Sequence, residues 1–85
     1  MEKYKNFINE VRKIRGLKTV GVEYNSTYDS IYFHFSPKQW IRIDNEKSKM
    51  WEHFTDLLVD YSYKAEFTCN YVIEVYEEWQ YVGYS

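Results

Sequence analysis

The stretch SIYFHFSPKQWIRI, residues 30–43, decides how this chain is assembled. Ile31, Phe33 and Phe35 alternate with Tyr32 and His34, the period of two that marks a half-buried strand. Ser36-Pro37-Lys38-Gln39 reads as a tight turn, with proline pre-set for its second position. Trp40-Ile41-Arg42-Ile43 then resumes the alternation, with Ile41 and Ile43 inward and Trp40 and Arg42 outward. The stretch is therefore expected to be a hairpin of strands 30–36 and 39–43.

Upstream, KTVGVEY alternates Val20, Val22 and Tyr24 with Thr19, Gly21 and Glu23, which predicts a strand over 18–24. NSTYDS is the loop that joins it to the hairpin. Three sequential strands with short links make an antiparallel meander. Its inner face is aliphatic and phenylalanine; its outer face carries Tyr32, His34, Trp40 and Arg42. Tyr4, Phe7, Ile8, Val11 and Ile14 recur at helical spacing and predict a helix over 3–15, with Gly16 as its terminating glycine and Leu17 packing just past it. Downstream, Asp44 or Asn45 would cap a helix over 46–62 whose apolar stripe is Trp51, Phe54, Leu57, Leu58 and Tyr61. Both helices would lie on the inner sheet face, a common α+β layering.

The closing segment has two readings. Phe67, Cys69, Tyr71, Ile73 and Val75 alternate with Glu66, Thr68, Asn70 and Glu74, which favours a strand through about 66–76. Tyr71, Val72, Val75, Tyr76 and Trp79 also share one side of a helix that Gly83 would end. In both, Glu74 and Glu78 point outward. The fold class is thus a single α+β domain over 1–85. It has a three- or four-stranded antiparallel meander with two helices on one face, in the order α-β-β-β-α followed by a final strand or helix.

Aromatic residues make up 21% of the 85 residues, and ten of them are tyrosines. Rings this large let a short chain build a core from few side chains, and ten tyrosines exceed what so small a core encloses. The one cysteine, Cys69, excludes an intrachain disulfide and points to a reducing compartment, the cytoplasm. The charged opening MEKYKNFINEVRK has no signal-peptide core, and no run of apolar residues is long enough to span a membrane.

The net charge of −2 hides an uneven distribution. Residues 1–18 hold six basic and two acidic side chains, residues 19–51 four of each, and residues 52–85 seven acidic side chains against Lys64 alone. Such a linear dipole either folds back and neutralises itself or presents an acidic face to a basic partner. The acidic and aromatic candidates for that face are Asp56, Asp60, Glu66, Glu74, Tyr76, Glu77, Glu78, Trp79 and Tyr81.

Catalytic patterns are wanting. His34, His53 and Cys69 fall on separate elements without metal-ligand spacing. Cys69 has no neighbouring base and reads as buried filler. Gly16, Gly21 and Gly83 are isolated and form no phosphate loop. No enzyme, no cofactor and no metal are expected. A single-stranded nucleic acid could stack on Tyr32, His34, Trp40 and Arg42, helped by the basic first segment, but the acidic second half would repel its phosphates. A protein-binding module uses the tyrosines and carboxylates better, because Tyr and Trp dominate binding hot spots. A third reading is a homo-oligomer, a dimer at its simplest, that pairs through its aromatic edge.

Over roughly residues 5–62, the order of FINEVRKI helix, IYFHF…WIRI hairpin and MWEHFTDLL helix resembles small phage anti-CRISPR proteins that occupy the DNA-binding channel of Cas9. The Lys-, Asn-, Tyr- and Ile-rich composition also looks like that of a phage or mobile element of low-GC bacteria. The resemblance implies a stoichiometric inhibitor, encoded by a phage or mobile element and acting in the host cytosol. Its carboxylates would take the place of DNA phosphates at arginines and lysines of a defence nuclease.

Overall fold

The computed structural model describes residues 2–68 and 70–77. One 3-10 turn, Glu2–Tyr4, leads into helix α1, Lys5–Arg12, whose buried stripe is Phe7, Ile8 and Val11. Beyond α1 the chain tightens. The Ile14 N–H bonds to the Val11 carbonyl at 3.0 Å and the Leu17 N–H to the Ile14 carbonyl at 2.9 Å. Gly16 takes φ +95°, a conformation open to glycine at little cost, and Leu17 is fully buried as expected. The helix expected over 3–15 is thus a shorter α-helix flanked by tighter turns.

Strands β1, Gly21–Asn25, and β2, Ser30–His34, pair antiparallel, with Val22 opposite Phe33 and Tyr24 opposite Ile31. β1 starts later than expected because Val20 belongs to the preceding turn, its N–H bonding to the Leu17 carbonyl at 3.2 Å.

The third strand expected over 39–43 is a helix. Residues Pro37–Ile43 form α2, and the cause lies in the four residues first read as a turn. Ser36 Oγ accepts from the Gln39 N–H at 3.2 Å while Gln39 Oε1 accepts from the Ser36 N–H at 2.8 Å. Proline occupies the first helical turn, where its missing N–H costs nothing. This reciprocal capping box starts a helix at the point where a hairpin would have turned. Ile43 then goes to the core and Ile41, its expected strand partner in burial, is 72% exposed.

Helix α3, Lys49–Tyr61, buries Met50, Phe54 and Leu58. Its cap is Ser48, whose Oγ accepts the Trp51 N–H at 3.0 Å, and not Asp44 or Asn45. Asp44 ends α2, and the Asn45 side chain accepts the Lys47 N–H at 3.0 Å. At the far end Ser62 turns with φ 58° and sends the chain straight into β3, Tyr63–Phe67.

The closing segment is extended, not helical, over its described part, but it is two strands rather than one. β3 and β4, Val72–Glu77, form a hairpin with Ala65 opposite Val75 and Phe67 opposite Ile73. The Thr68 N–H closes it on the Val72 carbonyl at 2.9 Å, and Tyr71 makes the turn with φ 60°. β4 inserts beside β2, so the antiparallel sheet runs β1-β2-β4-β3 and is not a sequential meander. The α+β class and an antiparallel sheet with a helix-covered inner face stand as expected. Of the three or four strands expected the sheet has four, and the described residues form three α-helices where two were expected.

Phe33, fully buried at the sheet centre, meets Phe7 of α1 at 5.9 Å and Phe54 of α3 at 5.8 Å between ring centres. Both contacts have the edge-to-face geometry that aromatic quadrupoles favour. Ile31, Ile73 and Val75 complete the same face and are also fully buried. No helix among the described residues is long and apolar enough to cross a membrane.

Candidate functional site

Because Phe33 and its neighbours turn toward the helices, strand alternation sends the intervening side chains to the other face of the sheet. The register lines four of them up across the strands. Glu23 of β1 stands opposite Tyr32 of β2, Tyr32 opposite Glu74 of β4, and Glu74 opposite Glu66 of β3. With strands about 4.8 Å apart, this row spans roughly 14 Å and carries three carboxylates and a phenol.

The row is held by side-chain hydrogen bonds. Ser30, fully buried, donates from Oγ to Glu74 Oε2 at 2.7 Å. The Tyr76 hydroxyl donates to Glu66 Oε1 at 3.0 Å. Asn25 Nδ2 donates to the Tyr32 hydroxyl at 3.0 Å, and His34 Nε2 lies 3.0 Å from Glu23 Oε1. The carboxylates are thereby positioned without being neutralised: apart from the His34 contact, no cation pairs with Glu23, Glu66 or Glu74 among the described residues. Glu23 and His34 stay well exposed, Glu66 is exposed, and Tyr32 and Glu74 are half-buried toward the sheet centre.

Of the residues expected to form a binding face, Glu66, Glu74 and Tyr76 are brought together here. Glu77 is turned to the helix-covered side and pairs with Lys3 at 2.9 Å. Asp56 and Asp60 are exposed on the flank of α3, away from the row. Glu78, Trp79 and Tyr81 lie outside the described residues, as does Cys69. Glu23 was not among the expected residues; its place opposite Tyr32 became readable only once the β1–β2 register was known.

The stacking platform expected for a nucleic acid is not assembled. Tyr32 and His34 lie on the sheet face, but Trp40 and Arg42 are on α2. Trp40 packs against Phe35, Phe67 and Tyr71 with ring centres 5.9–6.0 Å apart. The aromatic side chains that remain on the face stand among carboxylates, which repel phosphate.

At the neighbouring sheet corner Lys3 is gripped by Asp29 and Glu77. Asp29 also accepts the Tyr24 hydroxyl at 2.8 Å, and its carbonyl accepts the Tyr4 hydroxyl at 2.5 Å. Burial alone would lower the Lys3 ammonium, but its hydrogen bonds to Asp29 and Glu77 override that and hold it above the ordinary lysine value. Burial raises the Tyr4 and Tyr63 phenols, with Asp29 adding to the first and Glu77 to the second. The hydrogen bond to Asp29 raises Tyr24. The amino terminus and the acidic closing strand thus neutralise each other at this corner, while among the described residues the carboxylate row has an ion-pair contact only at His34.

Among the described residues no group of three or more His, Cys, Asp or Glu side chains converges to hold a metal ion. No protein-family model, curated protein or solved structure matches this chain, so the reading of the face rests on its own geometry.

Proposed function

We propose that this chain is a protein-binding domain that docks its acidic sheet face on a basic, groove-shaped protein surface. The observation that carries this reading is the row Glu23–Tyr32–Glu74–Glu66, three carboxylates set by strand register on the sheet face opposite the helices. Placing Glu66 directly opposite Glu74 works against sheet stability. A basic partner converts that local cost into complementarity, with faster encounter and selection against wrong partners. Tyr32 sits inside the row and supplies rigid area with a polar tip, the composition of a hot spot.

The finer proposal is an inhibitor of a host defence nuclease, phage- or mobile-element-encoded, in which the carboxylates occupy a channel that otherwise holds nucleic acid. RNA-guided nucleases hold their heteroduplex in a positively charged channel through its backbone, which an acidic strand row can complement. The hairpin that carried half of the resemblance to anti-CRISPR proteins is a strand followed by a helix. The inhibitor reading therefore draws its support from the acidic face and not from the order of elements.

The test is a titration of the purified chain into a purified RNA-guided nuclease, read by DNA binding and by DNA cleavage. Stoichiometric loss of both, relieved by the Glu66→Lys/Glu74→Lys variant, is the expected result. Unchanged DNA binding and cleavage in excess chain would remove nuclease inhibition. If a panel of basic nucleic-acid-binding proteins also showed no difference between the parent and that variant, the acidic-face reading itself would fall.

A further inference from the structure

The helical side of the molecule has the opposite character. Several of the basic side chains are accounted for. Arg12 Nη2 donates to the Val20 carbonyl at 3.0 Å, Lys13 pairs with Glu10 at 3.3 Å, and Lys3 is held by Asp29 and Glu77. Arg15, Arg42, Lys49 and His53 are not among them, and they lie together. They line one concavity with Ile14 and Met50, and among the described residues none of the four side chains has an ion-pair or hydrogen-bond partner.

Three elements build this concavity: the turn after α1, the end of α2 and the first turns of α3. Gly16 leaves room where they meet. A Cβ there would lie 2.7 Å from Met50 Cε and 3.0 Å from Arg42 Nη1, so the bare glycine admits the guanidinium and the thioether over the turn. Gln39 Nε2 ties α2 to the same turn through the Gly16 carbonyl at 3.0 Å. The Arg42 backbone is fixed as well, its carbonyl accepting the Asn45 N–H at 3.2 Å and the Ser48 hydroxyl. Ser48 also caps α3, so the positive end of that helix dipole opens toward the same place.

Arg15, Arg42 and Lys49, gathered without an ion-paired carboxylate among the described residues, repel each other. The chain carries more acidic than basic residues, so carboxylates to neutralise the group were at hand. We infer that this concavity is a binding site for the phosphate of an organic phosphate ligand. Two planar guanidinium forks match phosphate oxygens bidentately, and the lysine adds a point charge. Ile14 and Met50 give the organic part an apolar wall. A neighbouring concavity shares Ile14, Arg15 and His53 and is lined also by Glu10, Lys13, Asp56 and Leu57. Glu10 there is already paired with Lys13 and Asp56 would turn a phosphate away, so the phosphate belongs at the Arg15–Arg42–Lys49 end. The site lies on the helical side, across the domain from the carboxylate row, and stands whether or not that row binds a protein.

The test is a titration of the isotope-labelled full chain, followed by backbone amide resonances, with inorganic phosphate, pyrophosphate and a soluble inositol phosphate at constant ionic strength. Saturable shifts confined to Gly16, Arg42 and the first turns of α3 are expected. Arg15→Gln/Arg42→Gln should weaken binding by about tenfold or more, the scale of losing charge-assisted contacts, without lowering the melting temperature. If that variant fails to fold, Lys49→Gln alone should still reduce affinity several-fold. Vesicles containing phosphatidylinositol phosphate separate the sources: retention on them assigns the phosphate to a lipid headgroup, and binding of the soluble compounds alone assigns it to a free metabolite. Shifts spread evenly over the surface lysines, no saturation, or equal binding by the variants would overturn the proposal. So would tight, steeply salt-dependent binding of single-stranded DNA with no response to pyrophosphate, which would make the cleft a nucleic-acid tract.

Discussion

Glu66 and Glu74 face each other directly across the β3–β4 ladder, and their nearest hydrogen-bonding partners are hydroxyls, Tyr76 for the first and Ser30 for the second. Like charges at opposed positions of an antiparallel pair are destabilising, on the scale of roughly 0.2–1 kcal/mol. Glu66→Gln keeps an acceptor for Tyr76 and removes one of the two charges. Urea denaturation should therefore show the variant equal to the parent or more stable by about 0.5 kcal/mol. A loss above about 1 kcal/mol would mean that the charge stabilises the fold and is not held there for a partner.

Helix α2 rests on four residues. Ser36→Ala removes the acceptor of the Gln39 N–H, and caps of this type contribute about 1 kcal/mol. The expected result is a drop of that size in unfolding free energy, with lost amide protection confined to residues 39–44. A strand at 39–43 would lose nothing from the change, so unaltered stability would restore the hairpin.

Why that helix was misread is a matter of length. WIRI is four residues, and over four residues an alternating pattern and a helical one place the same number of apolar side chains inward. The deciding signal was the serine–glutamine spacing around Pro37, which serves a turn and a capping box equally well until the partners are seen. Longer periodic runs were legible. Phe54 and Leu58 fall in the core as read, Ile31 and Phe33 turn inward as read, and Tyr32 turns outward. The β3–β4 turn was hidden because its left-handed residue is Tyr71, φ 60°, where a glycine or asparagine would have announced it. The candidate face was half legible: Glu66, Glu74 and Tyr76 are close in sequence, but Glu23 joins them through a register set by β1, β2 and β4 together.

Gly16 combines two demands, a backbone at φ +95° and the close approach of Arg42 and Met50. Gly16→Ala should cost roughly the 1–2 kcal/mol of the left-handed conformation, with the end of the Met50 side chain shifting aside. Gly16→Ala/Met50→Ala should not recover that conformational part, while the Met50 truncation adds a core loss of its own. A single variant within about 0.5 kcal/mol of the parent in denaturant unfolding would show that the turn relaxes freely.

The knot around Asp29 sets the response to alkali. Lys3, Tyr4, Tyr24 and Tyr63 all bind their proton more tightly in the folded chain than in the unfolded one. Groups with raised folded values contribute their full stability below the ordinary values, 10.0 for tyrosine and 10.5 for lysine. That contribution is lost as pH rises through the folded ones, because the unfolded state releases its protons first and the slope of stability with pH turns negative. The melting temperature should hold level from neutral pH to about 9.5 and fall beyond about 10, the onset set by the unfolded tyrosines and lysine. Tyr4→Phe separates the parts. It removes the hydroxyl that donates to the Asp29 carbonyl, which should cost about 1 kcal/mol at neutral pH. It also removes one of the titrating groups, so the decline above pH 10 should be shallower than in the parent. Melting curves of both proteins across that range decide the matter. An alkaline slope as steep in Tyr4→Phe as in the parent would show that Tyr4 does not contribute to it.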